Sequence, residues 1–199
     1  MSPRSGRPEL AEYRRKRDFA ATAEPAGGED AGTPGGDGRF VVQLHDASTR
    51  HFDFRLESRG VLKSWAVPKG PSSDPRDKRL AVPTEDHPLE CRDVEGVIGE
   101  GYGAGTVLVW NTGTYRNLSR RHGEPVPFAD ALDAGHVSFW LDGGKLRGGY
   151  ALTRLRDGAW LLVKERDRYA HGGGSPSPER VRSARTHRTL RQIAREEGG

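Results

Sequence analysis

A chain of 199 residues with 27 glycines, 13 prolines and only 33% apolar residues can build one core of ordinary domain size but is too turn-rich for a helical bundle. Its single cysteine, Cys91, excludes a disulfide framework and a CxxC metal site, while the lack of any run near ~18 apolar residues and the polar start Ser2-Pro3-Arg4-Ser5 argue against a membrane span or secretory leader. A soluble, cytoplasmic monomer is expected, and the net charge of +4, from 32 basic and 28 acidic residues, favours a polyanionic partner.

Residues 10–18 (LAEYRRKRD) read as a short basic helix, and residues 26–38, rich in glycine and poor in side chains that pack, read as a linker. Residues 1–38 are therefore expected to form an N-terminal arm with a flexible linker. From 39 to 170 short β-rich runs recur at 39–44, 51–57, 61–67, 79–82, 106–110, 114–116, 137–141, 150–155 and 160–164. Asn111-Thr112-Gly113 and Asp142-Gly143-Gly144 read as hairpin breaks, and residues 85–88 as a turn. Many short strands at this spacing predict a mainly β domain, a sandwich or a closed barrel. Residues 171–199 read as a second linker followed by a basic tail with arginines at 180, 182, 185, 188, 191 and 195.

The segment from His45 to Glu57 carries the strongest chemistry. As a strand, its period of two sends Phe52, Phe54 and Leu56 to one face and His51, Asp53, Arg55 and Glu57 to the other. His45 can return to that polar face from the preceding strand. Two imidazoles and a carboxylate suit Mn²⁺, Zn²⁺ or Fe²⁺ with positions left open; the competing reading is an ordinary amphipathic strand with a solvated face. Lys69 in a Pro-Lys-Gly-Pro turn, Arg79 and His87 are natural phosphate partners, though each alone is more often a solvated surface residue. The glycine-rich stretch 99–106 lacks the Gly-Lys-Ser/Thr ending of a P-loop and leads into a strand, so it reads as a tight structural connection.

These pieces, in this order, closely resemble the phosphoesterase domain of bacterial ligase D proteins of non-homologous end joining and its stand-alone relatives. The resemblance runs from about Tyr13 to Ala170 through Gln43-x-His45, His51-Phe52-Asp53-Phe54-Arg55-Leu56-Glu57, Lys63-Ser64-Trp65-Ala66-Val67-Pro68-Lys69-Gly70, Lys78-Arg79-Leu80-Ala81-Val82, Glu85-Asp86-His87-Pro88 and Tyr102-Gly103-Ala104-Gly105-Thr106-Val107. It implies a compact β-barrel with a polar groove, Mn²⁺ as the metal, and removal of 3′-terminal ribonucleotides and 3′-phosphates from DNA or DNA–RNA primer-template ends to leave a 3′-OH. His45, His51 and Asp53 would bind the metal, and Arg55 and His87 the scissile phosphate. Gln43, Lys69, Arg79 and Glu85 match further groove positions, and Arg17, Asp18 and Glu24 match arm residues tied to ribonucleotide trimming. Ku and a DNA ligase or polymerase enter as candidate protein partners. The chain departs from the family at Cys91, where a phosphate-contacting Tyr is usual, and in a 99–102 turn one residue shorter than usual.

Two other classes compete. His51, Asp53, the distal His136 and Arg147 mimic the triad and arginine of a non-haem iron dioxygenase. A non-catalytic end-joining adaptor would bind DNA through the basic tails.

Overall fold

The computed structural model describes residues 7–28, 32 and 37–198. In chain order its strands are β1 (Gly38–Asp46), β2 (Arg50–Ser58), β3 (Val61–Val67), β4 (Arg79–His87), β5 (Gly96–Ile98), β6 (Gly105–Asn117), β7 (Arg120–Arg121), β8 (Glu124–Pro125), β9 (His136–Gly143), β10 (Arg147–Arg154) and β11 (Trp160–Lys164). The helices are α1 (Ala11–Arg15), α2 (Phe128–Asp133) and α3 (Leu190–Glu197). Eight strands pair antiparallel in the order β1-β2-β3-β4-β11-β10-β9-β6, and β6 returns to β1, closing a barrel without free edges. The mainly β expectation holds, and among the described residues no helix is long and apolar enough to cross a membrane.

Alternation decides what fills the barrel. Phe40, Val42 and Leu44 of β1, Phe52, Phe54 and Leu56 of β2, and Phe139, Leu141, Tyr150 and Leu152 of β9 and β10 form the buried core. The intervening residues of β1 and β2, among them Gln43, His45, His51, Asp53 and Arg55, must then face outward. They are roofed from outside by the N-terminal arm, by a 3₁₀ segment at Leu89–Asp93 and by the loop between β5 and β6. A second apolar cluster of Tyr13, Leu62, Leu89 and Cys91, flanked by Phe19 and Val94, ties arm and 3₁₀ segment to the barrel wall.

Three expectations are corrected. Asn111-Thr112-Gly113 does not break a strand: β6 runs through it, and the pairs Val42↔Asn111 and Gln43↔Val109 leave Trp110 as the extra residue of a bulge. Gly113 serves close strand approach instead, since a Cβ there would lie 2.2 Å from the Asp142 carbonyl oxygen. Residues 85–87 belong to β4 and are not a turn.

The C-terminal segment, expected as linker and basic tail, is packed. Val181, Leu190 and Ile193 join the main core, and α3 begins in a capping box in which the Thr189 hydroxyl accepts from the Gln192 N–H while the Gln192 side chain accepts from the Thr189 N–H. One edge of β6 pairs with β5 at residues 105–107 and with β9 at 113–117. Between them the Val109 N–H donates to Glu95 at 2.9 Å and the Val109 carbonyl accepts from Ala184 N–H at 2.8 Å. Glu95 also accepts from Ser183 and Thr186 hydroxyls, each at 2.6 Å, so it buckles the segment to the barrel. In the arm, α1 lies within the span expected to be helical; of the expected linker, residues 29–31 and 33–36 lie outside the described residues.

Candidate active site

The antiparallel register of β1 and β2 sets His45 opposite His51 and Gln43 opposite Asp53, and β3 sets Ser64 opposite Arg55. Donor atoms of His45, His51 and Asp53 consequently lie within 4.8 Å of one another. Asp53 Oδ2 is 3.5 Å from His45 Nδ1 and 3.3 Å from Arg55 Nη2, while its Oδ1 is 3.4 Å from His51 Nε2. Burial pushes the Asp53 carboxyl upward, but the Arg55 charge and the hydrogen bonds from His45 and His51 outweigh it and hold it well below the usual carboxylate range. The hydrogen bond to Asp53, acting against burial, raises His51. Thr49 O lies 2.8 Å from His51 Nδ1, so a proton there is accepted by a carbonyl and Nε2 is the nitrogen that would release its proton to a cation. His45 Nε2 is buried without a hydrogen-bond partner. An orphaned imidazole nitrogen, a second imidazole and an ionised carboxylate form a donor set that fits a divalent transition metal.

Beside this cluster Arg55 is held rigidly. Its Nε donates to Gln43 Oε1 at 2.9 Å and its Nη1 to the Ser64 hydroxyl at 2.8 Å. Gln43 is fixed in turn by donating to the carbonyls of Cys91 and Val94, both at 2.9 Å. Gln43 thus orients the guanidinium from beneath. With three of five N–H bonds committed, to Gln43, Ser64 and Asp53, Arg55 retains two for an incoming oxyanion.

The opposite wall comes from β4, where the pairs Ser64↔Thr84 and Leu62↔His87 require a bulge at Glu85-Asp86. It brings Thr84, Glu85 and His87 to the same cavity. His87 Nδ1 lies 2.8 Å from the Glu85 carbonyl, and burial, with the Arg55 and Arg17 charges, lowers the imidazole to about 3. It is neutral at physiological pH, with Nε2 3.4 Å from Arg17 Nη2. Arg17 reaches in from the arm, donating to Glu24 at 2.7 Å and to Glu85 at 2.9 Å, with its guanidinium 3.9 Å from the Tyr13 ring centre. Burial would raise Glu85, but the bond from Arg17, helped by a backbone hydrogen bond and by Lys16, holds it at about 2.

The whole encloses a cavity of about 530 Å³ lined by Arg17, Glu24, Gln43, His45, His51, Asp53, Arg55, Glu85 and His87. The structure thus brings together nine of the residues singled out in the sequence, and places three others elsewhere. Lys69 is exposed beyond β3 and Arg79 bonds Ser175 and Asp77, neither lining the cavity; Asp18 is exposed and its carboxylate accepts from the Ala20 N–H at 3.0 Å. His136 bonds Thr153 on β10 and Arg147 the Gly143 carbonyl, so the dioxygenase triad is not assembled among the described residues. Cys91 lines the cavity from the second cluster, its thiol pushed up to about 11 by burial and its Sγ 3.6 Å from the Tyr13 hydroxyl.

Sequence reasoning missed part of the wall. Gly101, Tyr102, Gly103 and Ala104 line the cavity, so the glycine-rich stretch is more than a connection. Lys16, which pairs with Glu85 at 3.2 Å, also went unnoticed. The one available signal was an aromatic residue set among glycines.

A family model described as the DNA ligase D 3′-phosphoesterase domain matches residues 43–154. The chain is 51% identical over 163 residues, 79% of its length and 19% of the relative's, to the multifunctional non-homologous end joining protein LigD of Pseudomonas aeruginosa. Identity is 45% over 154 residues to the LigD protein of Mycobacterium bovis, covering 76% of this chain and 19% of that one. It is 40% over 159 residues to the LigD protein of Mycolicibacterium smegmatis, covering 79% and 21%. The chain spans about a fifth of the length of these curated relatives.

Proposed function

The chain belongs to the DNA ligase D 3′-phosphoesterase domain family, and on that premise we propose that it is a metal-dependent hydrolase that heals DNA 3′ ends in end joining, removing 3′-terminal ribonucleotides and 3′-phosphates to leave a 3′-OH. The observation that carries this reading is the convergence of His45, His51 and Asp53 with Arg55 and His87 in one cavity. His45, His51 and Asp53 would hold the cation, proposed to be Mn²⁺, which when bound supplies positive charge against phosphoryl oxygen and acidifies water.

The side chains account for the rest. Arg55, braced by Gln43 and Ser64, offers its two uncommitted N–H bonds to non-bridging phosphate oxygens without reorganising, which is where such catalysis gains most. His87 enters the reaction neutral. A phosphate seated against it favours the protonated imidazole, the form in which His87 would donate to a phosphate or leaving oxygen. Arg17, bridging Glu24 and Glu85, reaches the cavity from the arm and positions the terminal sugar.

The test is a labelled primer-template ending in a 3′-phosphate or a ribonucleotide, incubated with Mn²⁺ and with chelator. Hydrolysis that needs the cation and vanishes in a stably folded His51→Ala variant is expected. Full Mn²⁺-dependent hydrolysis by His51→Ala overturns the metal assignment, and 3′-end binding without hydrolysis by the wild type replaces it with the adaptor reading.

A further inference from the structure

Tyr102 is unlike the other aromatic residues of the site. It sits in the loop between β5 and β6, whose shape is set by Gly101, Gly103 and Gly105 at φ of +103°, +84° and +137°. A structural tyrosine buries its ring and leaves at most the hydroxyl wet. Tyr102 does the reverse: it is 53% exposed, yet it lines the cavity, and its hydroxyl reaches inward to within 3.5 Å of Glu85 Oε2. Lys16 Nζ and the Arg17 guanidinium stand 4.9 and 5.4 Å from the ring centre. Tyr102 is thus held by its hydroxyl and by two cations while about half of the residue stays exposed.

A continuous chain of contacts links that ring to the proposed phosphate grip. Tyr102 touches Glu85, Glu85 accepts from Arg17 at 2.9 Å, and Arg17 stands 3.4 Å from His87 Nε2. A cavity lined by anion-binding groups and by a half-exposed aromatic ring matches the two parts of a nucleotide. We infer that Tyr102 is a stacking platform for the nucleobase of the 3′-terminal nucleotide, an assignment that rests on the phosphoesterase reading of the cavity. Every base has a π-face, so stacking anchors an end without selecting its sequence. That suits an enzyme meeting arbitrary ends. The neighbouring cations favour the same geometry, because they orient the ring and add attraction for the phosphate that follows the base.

Binding without turnover tests it. Primer-templates ending in a 3′-OH, with either a normal base or an abasic residue at the last primer position, are titrated by fluorescence anisotropy against the wild type, Tyr102→Phe and Tyr102→Ala. The wild type and Tyr102→Phe are expected to prefer the base-bearing end by about tenfold, and Tyr102→Ala to lose that preference while binding the abasic end as the wild type does. Equal affinity of the wild type for both ends, or equal loss on both ends in Tyr102→Ala, overturns the inference. Because no bond is cleaved, this result is separate from the hydrolysis assay: a wild type that stacks the base but hydrolyses nothing sinks the phosphoesterase reading alone.

Discussion

Replacing Arg17 with alanine isolates the ion network that binds the arm to the barrel. Glu24 and Glu85 are both buried, and Arg17 donates to them at 2.7 and 2.9 Å. Removing one partner of a buried pair leaves uncompensated charge and costs roughly 3–5 kcal/mol. The shift of Glu85, which Arg17 shares with a backbone hydrogen bond and Lys16, sets an upper bound of similar size. Glu85 sits at about 2 against an ordinary 4.5, and at about 1.4 kcal/mol per unit this is on the order of 3 kcal/mol of stability at neutral pH. A depressed carboxyl contributes fully above its unfolded value and loses the contribution as pH falls through its folded value, so the window lies between pH 4.5 and 2. Urea unfolding of wild type and Arg17→Ala should therefore differ by about 3 kcal/mol at pH 7 and by clearly less at pH 3. Arg17→Ala combined with Glu85→Gln should recover more than about 1 kcal/mol of coupling. A loss below about 1 kcal/mol at pH 7, or an equal loss at both pH values, refutes the argument. The same network shows that deleting the first 25 residues is no neutral truncation, because it also strips Leu10 and Tyr13 from the buried apolar residues.

Three further outcomes follow from the same geometry. Cys91→Tyr should speed 3′-phosphate release, by up to about 100-fold, because position 91 lines the cavity while the nearby Tyr13 hydroxyl is committed to the Pro25 carbonyl at 2.8 Å; unchanged or slower turnover in a variant whose Tm is retained refutes it. His87, at about 3 in the fold against an ordinary 6.5, should erode stability as pH falls below 6.5, by about 3 kcal/mol at pH 4, and His87→Asn should flatten that slope; an unchanged slope in denaturation between pH 7 and 4 counts against it. Ile193→Ala should cost about 2–5 kcal/mol in urea unfolding because that side chain is fully buried in the main core, whereas a loosely attached tail would show no change.

What could be read in the sequence was whatever depends on alternation within one strand. The run from His51 to Glu57 announces its two faces by residue type, and the structure keeps both. The inward-or-outward choice was equally legible, since three apolar residues can only be the core side. Long-range closure was not, because pairing β6 to β1 and β11 to β4 leaves no local signature in either strand. Bulges defeated local reading twice. Asn111-Thr112-Gly113 has the composition of a turn, yet tertiary pairing on both sides keeps it in β6. The C-terminal segment misled through its charge: its arginines dominate the composition, while three apolar residues among them, Val181, Leu190 and Ile193, do the anchoring. The Thr189-x-x-Gln192 pair was the overlooked helix signal. Lys69 and Arg79, matched to the groove by resemblance, do not line the cavity, although the pair Phe52↔Val67 sets that end of β3 beside the hairpin that carries His45 and His51.

The bulge in β4 acts as an indexing tooth. A regular strand shows a given face only every second residue, yet Thr84, Glu85 and His87 all reach the cavity, and Asp86 alone is turned to pair with Lys63 at 2.8 Å. Chain length across these four positions therefore carries information that residue identity does not. Substituting Asp86 alters one half-buried ion pair, but excising it would restore strict alternation, leaving Thr84 and His87 on one face and swinging Glu85 to the far side of the sheet. In this stretch the protein is tolerant of spelling and intolerant of spacing.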